Sequence, residues 1–200
     1  MFISFEGLDG CGKTTQVELL EAYLETKDIE VVATREPGGT DLGERLREIV
    51  LHGGKVSPWA EAAIFAASRA ELVERVIEPA LARGAFVISD RFVDSSLVYQ
   101  GVARGLGIES VLQLNLHATK GLLPDRTFLL LVGEELSEAR VGEDRDRMER
   151  ESAEFRRQVE DGYRRLAEMF PERIVALDGT QPRELIARQV RQALEDAGQL

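Results

Sequence analysis

The chain has 200 residues, and 36 acidic side chains outnumber 25 Lys and Arg to leave a net charge of −11. That length suits one domain, and the acidity argues against a general nucleic-acid or anionic-membrane surface. A single cysteine, Cys11, excludes an internal disulfide framework and a cysteine-rich zinc site. No apolar run approaches the roughly 20 residues a membrane helix needs. With no secretory leader visible after Met1, the expected location is the cytoplasm.

The elements alternate along the chain. Phe2–Glu6 reads as a buried strand that runs into a glycine-rich turn. A helix follows over Lys13–Glu25, with Val17, Leu20 and Leu24 on one face. Ile29–Ala33 is a second short apolar run, and Arg35-Glu36-Pro37-Gly38-Gly39-Thr40 is a loop by its Pro-Gly-Gly content. Leu42, Leu46, Ile49 and Val50 recur with helical period. Ser57-Pro58 then marks an N-cap and first helical position for a long helix, which Pro79 is expected to kink before Gly84. Ala85–Ser89 is a third strand, ending at Asp90-Arg91. Helices are expected over Asp94–Gln100, stopped by Gly101, and over Ile108–His117. Phe128–Val132 and Arg173–Leu177 complete five strands, and helices close the chain over Glu154–Phe170 and Pro182–Ala197. Strand–helix alternation of this kind predicts an α/β fold: three layers, with a five-stranded parallel sheet flanked by helices.

The chemistry begins in the first turn. Gly7-Leu8-Asp9-Gly10-Cys11-Gly12-Lys13-Thr14 matches GxxxxGK[ST], with a strand before it and a helix after it, as a P-loop requires. The glycines let backbone N–H groups approach phosphate oxygens, and the helix start adds unpaired donors. Lys13 supplies a point charge for the β- and γ-phosphates, and Thr14 a hydroxyl for Mg²⁺. Asp90 ends an apolar strand, where a second Mg²⁺ ligand belongs. Cys11 fills a variable position; its place at a helix start favours a lowered thiol pKa, its small size a packing role. Arg91 follows Asp90 where many ATPases carry a water-activating glutamate, and no NKxD guanine-reading motif is present. Both features point to transfer to an acceptor rather than to hydrolysis or a GTP switch.

Beyond the P-loop, three further segments occur in a telling order: Thr34-Arg35-Glu36-Pro37-Gly38-Gly39-Thr40, Phe65-Ala66-Ala67-Ser68-Arg69-Ala70, and Asp90-Arg91-Phe92-Val93-Asp94-Ser95-Ser96-Leu97-Val98-Tyr99-Gln100-Gly101. With them the chain resembles the bacterial-type thymidylate kinases over most of its length. The resemblance implies a single P-loop nucleoside monophosphate kinase domain over residues 1–200, transferring the γ-phosphoryl group of MgATP to dTMP in dTTP synthesis. It implies a cytoplasmic homodimer with no nucleic-acid or membrane partner. By resemblance Arg91 and Arg47 take the dTMP phosphate, and Phe65 stacks on thymine. Arg69 hydrogen-bonds a base carbonyl, and Ser96 and Gln100 lie near the base. Tyr99 crowds the 2′ position of the sugar, Glu36 and Pro37 shape the loop beside sugar and phosphate, and Asp9 approaches the 3′-hydroxyl. The mixed-charge stretch Gly142–Glu151 falls within the family's lid, at about 134–152. Gly10 stands where one subgroup carries a catalytic P-loop arginine, so the lid arginines are the alternative source: Arg140, Arg145, Arg147 and Arg150 are available, and Arg145 or Arg147 is expected to reach the transferred phosphoryl group. Two departures stand out, Phe92 for a tyrosine and Val102-Ala103-Arg104 for a glycine-rich stretch. Competing readings are a P-loop kinase with another acceptor and an ATP-driven binding or switch protein. The apolar faces around Leu46–Val50 and Leu72–Val76 suit either a dimer or the sheet.

Overall fold

The computed structural model describes residues 1–142 and 145–200; Glu143 and Asp144, in the middle of the expected lid, lie outside the described residues. Five parallel strands form one sheet in the order β2-β3-β1-β4-β5. They are β1 (Phe2–Glu6), β2 (Val31–Arg35), β3 (Phe86–Asp90), β4 (Arg126–Leu131) and β5 (Ile174–Asp178). The three central strands are covered on both faces and read as nearly continuous apolar runs, whereas the edge strands β2 and β5 keep partly exposed positions. Strand alternation sorts the core into two halves. Ile3, Phe5, Ile88, Phe128 and Leu130 face α1 (Lys13–Glu25) and α9 (Arg183–Asp196), through Val17, Leu20, Leu24, Ile186, Val190 and Leu194. Phe2, Val87 and Leu129 face the opposite layer. There they meet α3 (Pro58–Leu72), α5 (Val93–Ser96), α6 (Ile108–Ala118) and α8 (Ala153–Met169).

Glu6 follows Phe2 and Ser4 on this second face, at the C-terminal end of β1, and is wholly buried. The C-terminal ends of β1 and β3 carry the glycine loop and Asp90-Arg91, the crevice where open parallel α/β sheets bind ligands. The remaining helices are α2 (Asp41–Arg47), α4 (Glu78–Ala82) and α7 (Glu134–Arg140).

The structure corrects several boundaries. Ile29 belongs to the turn that closes α1, its N–H bonding the Leu24 carbonyl at 3.2 Å, so β2 starts two residues later than expected. Three π-helical turns, Glu48–His52, Val73–Ile77 and Leu97–Ala103, extend helices that were expected to stop or to run on regularly. The interruption expected at Pro79 falls just before it: the helix widens into the π turn Val73–Ile77 and resumes as α4, with the proline, which has no N–H to donate, as its second residue. Gly101 does not stop its helix; it lies inside the third π turn because α6 crosses there, and a Cβ would come within 3.2 Å of the Ile108 Cα. Of the Leu72–Val76 face, Leu72 and Val73 are buried in the core and Val76 packs partly against it. Ser57 caps α3 as expected, accepting from the Ala60 N–H.

Candidate active site

The glycine loop wraps a cavity lined by Gly10, Gly12, Lys13, Thr14, Thr15, Asp90 and Arg140. Gly12 caps α1 at φ 100°, a conformation that favours glycine. Gly7 has φ 138°, and a Cβ there would lie 2.5 Å from the Leu130 carbonyl oxygen. Lys13 is folded back on its own loop, donating to the carbonyls of Gly7 (3.3 Å) and Leu8 (2.9 Å). Thr14 Oγ1 donates to Asp90 Oδ2 at 2.6 Å, so the two expected metal ligands are adjacent. Cys11 is buried, and burial pushes its thiol up rather than down, which leaves the packing role.

A second cavity, of about 140 Å³, opens beside the first. Asp9, Glu36, Pro37, Arg47, Phe65, Arg91, Ser96, Tyr99 and Gln100 line it, together with Leu51, Ser95, Asp146, Met148 and Glu149. Nine of the ten residues expected around dTMP therefore converge here, from the loop after β2, from α3 and from the helix after β3. Asp9, Glu36, Arg47, Arg91 and Glu149 line both cavities and form the border between them.

Arg91 is the centre of that border. It leaves the strand at φ 72°, and its N–H is tied to the Phe5 carbonyl at 2.9 Å. Its guanidinium reaches Asp9 Oδ1 (2.5 Å), Ser95 Oγ (3.0 Å) and the Tyr163 hydroxyl (3.2 Å), and it lies 5.4 Å from the Tyr99 ring centre. Behind these stands Glu6, which the sequence reading passed over as a strand residue. Its Oε2 accepts from Ser95 Oγ (2.5 Å) and the Tyr163 hydroxyl (2.8 Å), and its Oε1 from the N–H groups of Phe92 (2.8 Å) and Ser95 (3.2 Å). Burial, followed by the charge of Asp94, pushes the Glu6 carboxyl up. Burial acts on Asp9 in the same sense, but Arg91, Lys13 and Arg47 outweigh it and hold Asp9 below the usual carboxylate range. Arg47 also donates to the Pro37 carbonyl at 2.9 Å, beside the cis Glu36–Pro37 peptide.

Arg69 departs from expectation. It is 1% exposed and does not line the cleft. Nε donates to Glu36 Oε2 (2.7 Å) and Nη1 to Ser96 Oγ (3.1 Å) and Asn115 Oδ1; Nη2 reaches the Phe92 carbonyl (3.1 Å) and Glu36. All five donors serve the protein, so a base carbonyl reaches Arg69 only by displacing one of them. In this arrangement Arg69 acts on the cleft through Glu36 and Ser96.

The arginines of the lid segment also sort differently from the expectation. Arg145 pairs with Glu138 at 2.5 Å. Arg147 turns away from the phosphate loop, donating to the Val50 carbonyl (2.8 Å) and pairing with Glu61 (2.8 Å). Neither lines either cavity, whereas Arg140, at the end of α7, lies over the glycine loop with Nη1 3.4 Å from the Gly10 carbonyl. The residues that the lid segment adds to the second cavity, Asp146, Met148 and Glu149, were legible only as part of a charged run. Their turn is self-capped: Asp146 Oδ1 accepts from the Met148 and Glu149 N–H groups, and Glu149 accepts from the Asp146 N–H at 2.9 Å.

Comparison with known proteins matches this geometry. A family model described as thymidylate kinase matches residues 5–190. The thymidylate kinase of Caldanaerobacter subterraneus subsp. tengcongensis is 50% identical over 98% of this chain and 95% of that protein. That of Symbiobacterium thermophilum is 47% identical over 98% and 93%. The crystal structure of thymidylate kinase from Ehrlichia chaffeensis superimposes with a TM-score of 0.79 at 33% identity, covering 98% of each chain.

Proposed function

Because the chain belongs to the thymidylate kinase family, and so transfers a phosphoryl group from ATP to dTMP, we propose that its two cavities divide the reaction. The glycine loop holds the ATP phosphates, and the cleft around Phe65, Tyr99 and Gln100 holds dTMP with its phosphate against Arg91 and Arg47. The observation that carries this reading is Arg91, one guanidinium lining both cavities.

The acceptor oxygen belongs to a phosphate that is already anionic, so no general base has to create the nucleophile. It attacks the γ-phosphorus in line while the bond to the bridging β–γ oxygen breaks, leaving ADP and dTDP. The obstacle is charge, and fixed positive groups oppose it in the transition state. Arg91 supplies one on the border, Lys13 a second once it exchanges its loop carbonyls for phosphate, and Arg140 a third from the lid. Asp9 holds Arg91 in place and stands beside the sugar 3′-hydroxyl. Thr14 and Asp90 offer a hydroxyl and a carboxylate 2.6 Å apart. Mg²⁺ suits this pair of hard oxygen ligands, because substrate phosphates and water complete its shell. Bound there, Mg²⁺ neutralises phosphate charge.

Residues 134–152 serve as the lid. Leu42, Ile49 and Trp59 remain exposed on and beside α2 and at the start of α3, and a homodimer formed there covers them. A cytoplasmic location agrees with one unpaired cysteine and with these nucleotide substrates. The deciding experiment is Arg91→Ala: kcat/KM for dTMP is expected to fall at least ~10³-fold, the scale of losing a charged transition-state contact, while calorimetry still detects ATP. Near-normal turnover of dTMP by this variant would overturn the reading.

A further inference from the structure

Glu61 lies in the first turn of α3, 1% exposed and outside the cleft lining, yet it is among the most heavily hydrogen-bonded carboxylates of the molecule. Its Oε1 accepts from Gln100 Nε2 (2.9 Å) and Arg104 Nε (3.1 Å). Its Oε2 accepts from Arg104 Nη2 (3.1 Å) and pairs with Arg147 at 2.8 Å. Burial pushes this carboxyl up, but hydrogen bonds from Arg104 and Gln100, the charge of Arg104 and the bond from Arg147 together hold it below the usual value. It therefore stays ionised, and an ionised carboxylate only accepts.

That fixes an orientation a glutamine amide does not choose for itself. Gln100 must turn its NH₂ toward Glu61, which leaves Oε1 as the atom on the other side. Gln100 is itself buried and lines the cleft, and its Oε1 accepts no hydrogen bond among the described residues. We propose that Glu61 is a specificity-determining positioning residue: by locking the Gln100 carbonyl oxygen toward the base, it makes the cleft accept a pyrimidine whose ring N3 carries hydrogen and refuse cytosine. Thymine and uracil present N3–H, a donor that meets Oε1. Cytosine presents a bare N3 lone pair, so two acceptors would face each other. A site built to pair with one hydrogen-bond pattern discriminates strongly against the reverse pattern, because its buried group is left unpaired. The lid takes part, since Arg147 is one of the groups that keep Glu61 charged.

The inference rests on the reading of Gln100 as a base contact, and the test separates the two. Purified wild type, Glu61→Gln and Gln100→Met are assayed with dTMP, dUMP and dCMP. Wild type is expected to favour dTMP strongly over dCMP. In Glu61→Gln the new amide offers either an oxygen or a nitrogen, so Gln100 is free to flip. The dTMP/dCMP ratio of kcat/KM then narrows by at least about 10-fold, on the scale of one hydrogen-bonded base contact, while the dTMP/dUMP ratio, blind to N3, stays put. A loss of packing alone lowers all three rates without moving the first ratio. If Gln100→Met narrows that ratio and folded Glu61→Gln does not, the role of Glu61 is refuted and the base contact survives. If Gln100→Met keeps the ratio, both fall. Should Glu61→Gln not fold, Glu61→Asp, whose shorter carboxylate no longer holds the Gln100 amide at 2.9 Å, is assayed in its place; an unmoved dTMP/dCMP ratio in the folded variant overturns the inference.

Discussion

Glu36 shows how one buried side chain serves both the core and the cleft. Its Oε2 takes the Arg69 Nε–H at 2.7 Å, while its Oε1 is buried with no partner among the described residues. Burial outweighs Arg69 and pushes the carboxyl from 4.5 up to about 7. The sign of the consequence follows by linkage. Between these two values the unfolded chain has lost this proton and the folded chain has kept it, so the folded state binds more protons and stability falls as pH rises. The contribution of Glu36 is fully present below about pH 4.5 and is lost by about pH 7. Glu36→Gln is neutral throughout and lacks this slope. Unfolding free energies of both proteins from urea titrations between pH 4.5 and 8 are expected to shift progressively in favour of the variant as pH rises, by on the order of 3 kcal/mol in all. Parallel curves would show that Glu36 titrates normally. Asp9, which lines the same cleft, takes the opposite shift because Arg91, Lys13 and Arg47 surround it.

At the scale of elements, the third π turn, Leu97–Ala103, aims Tyr99 and Gln100 into the cleft, and the first, Glu48–His52, contributes Leu51. Such turns recur at functional sites because one extra residue re-aims the side chains that follow. None was legible in the sequence, since a single inserted residue barely disturbs an apolar period read over short windows. Strands and helix bodies were legible because burial forces continuous apolar runs on central strands and three- and four-residue spacing on helices. The convergence of Glu6, Ser95 and Tyr163 behind Arg91 was not, because it joins β1 to helices 89 and 157 residues away. Close packing of α8 on the third π turn holds that convergence together. A Cβ on Gly162 would lie 2.9 Å from Val98 Cγ1, so Gly162→Ala must push the two elements apart. The variant is expected to lose about 1–3 kcal/mol, the usual cost of overpacking, and to lower kcat because its neighbour Tyr163 withdraws from Arg91. Thermal melting and steady-state rates check both; an unchanged melting point means that the helices yield without strain.

At the scale of the whole molecule, two cavities sit side by side at the C-terminal ends of β1 and β3 and share Asp9, Glu36, Arg47, Arg91 and Glu149. Arg91 is tied to β1, and α7 is tied to the glycine loop through Ser137 Oγ to the Asp9 carbonyl at 2.6 Å and through Arg140, while Leu136 packs against the core. Ion pairs from Arg156 to Glu134 (3.7 Å) and Glu138 (3.2 Å) tie α7 to α8. The resemblance pointed to arginines in this segment but not to which of them lines the phosphate cavity, because that depends on the partners each finds. Arg145 is taken by Glu138 and Arg147 by Glu61; Arg140 alone of these three lines the phosphate cavity. A guanidinium that meets charge developing on the transferred group raises kcat without tightening ground-state binding. Arg140→Ala is therefore expected to lower kcat by roughly 10²-fold, as for loss of one transition-state donor, with KM for dTMP nearly unchanged. Arg147→Ala, which acts through Glu61 and Gln100, should instead raise KM for dTMP. Steady-state kinetics of the two variants side by side separate these effects. A normal kcat in Arg140→Ala together with a collapsed kcat in Arg147→Ala would mean that the lid rearranges during turnover to exchange the two side chains.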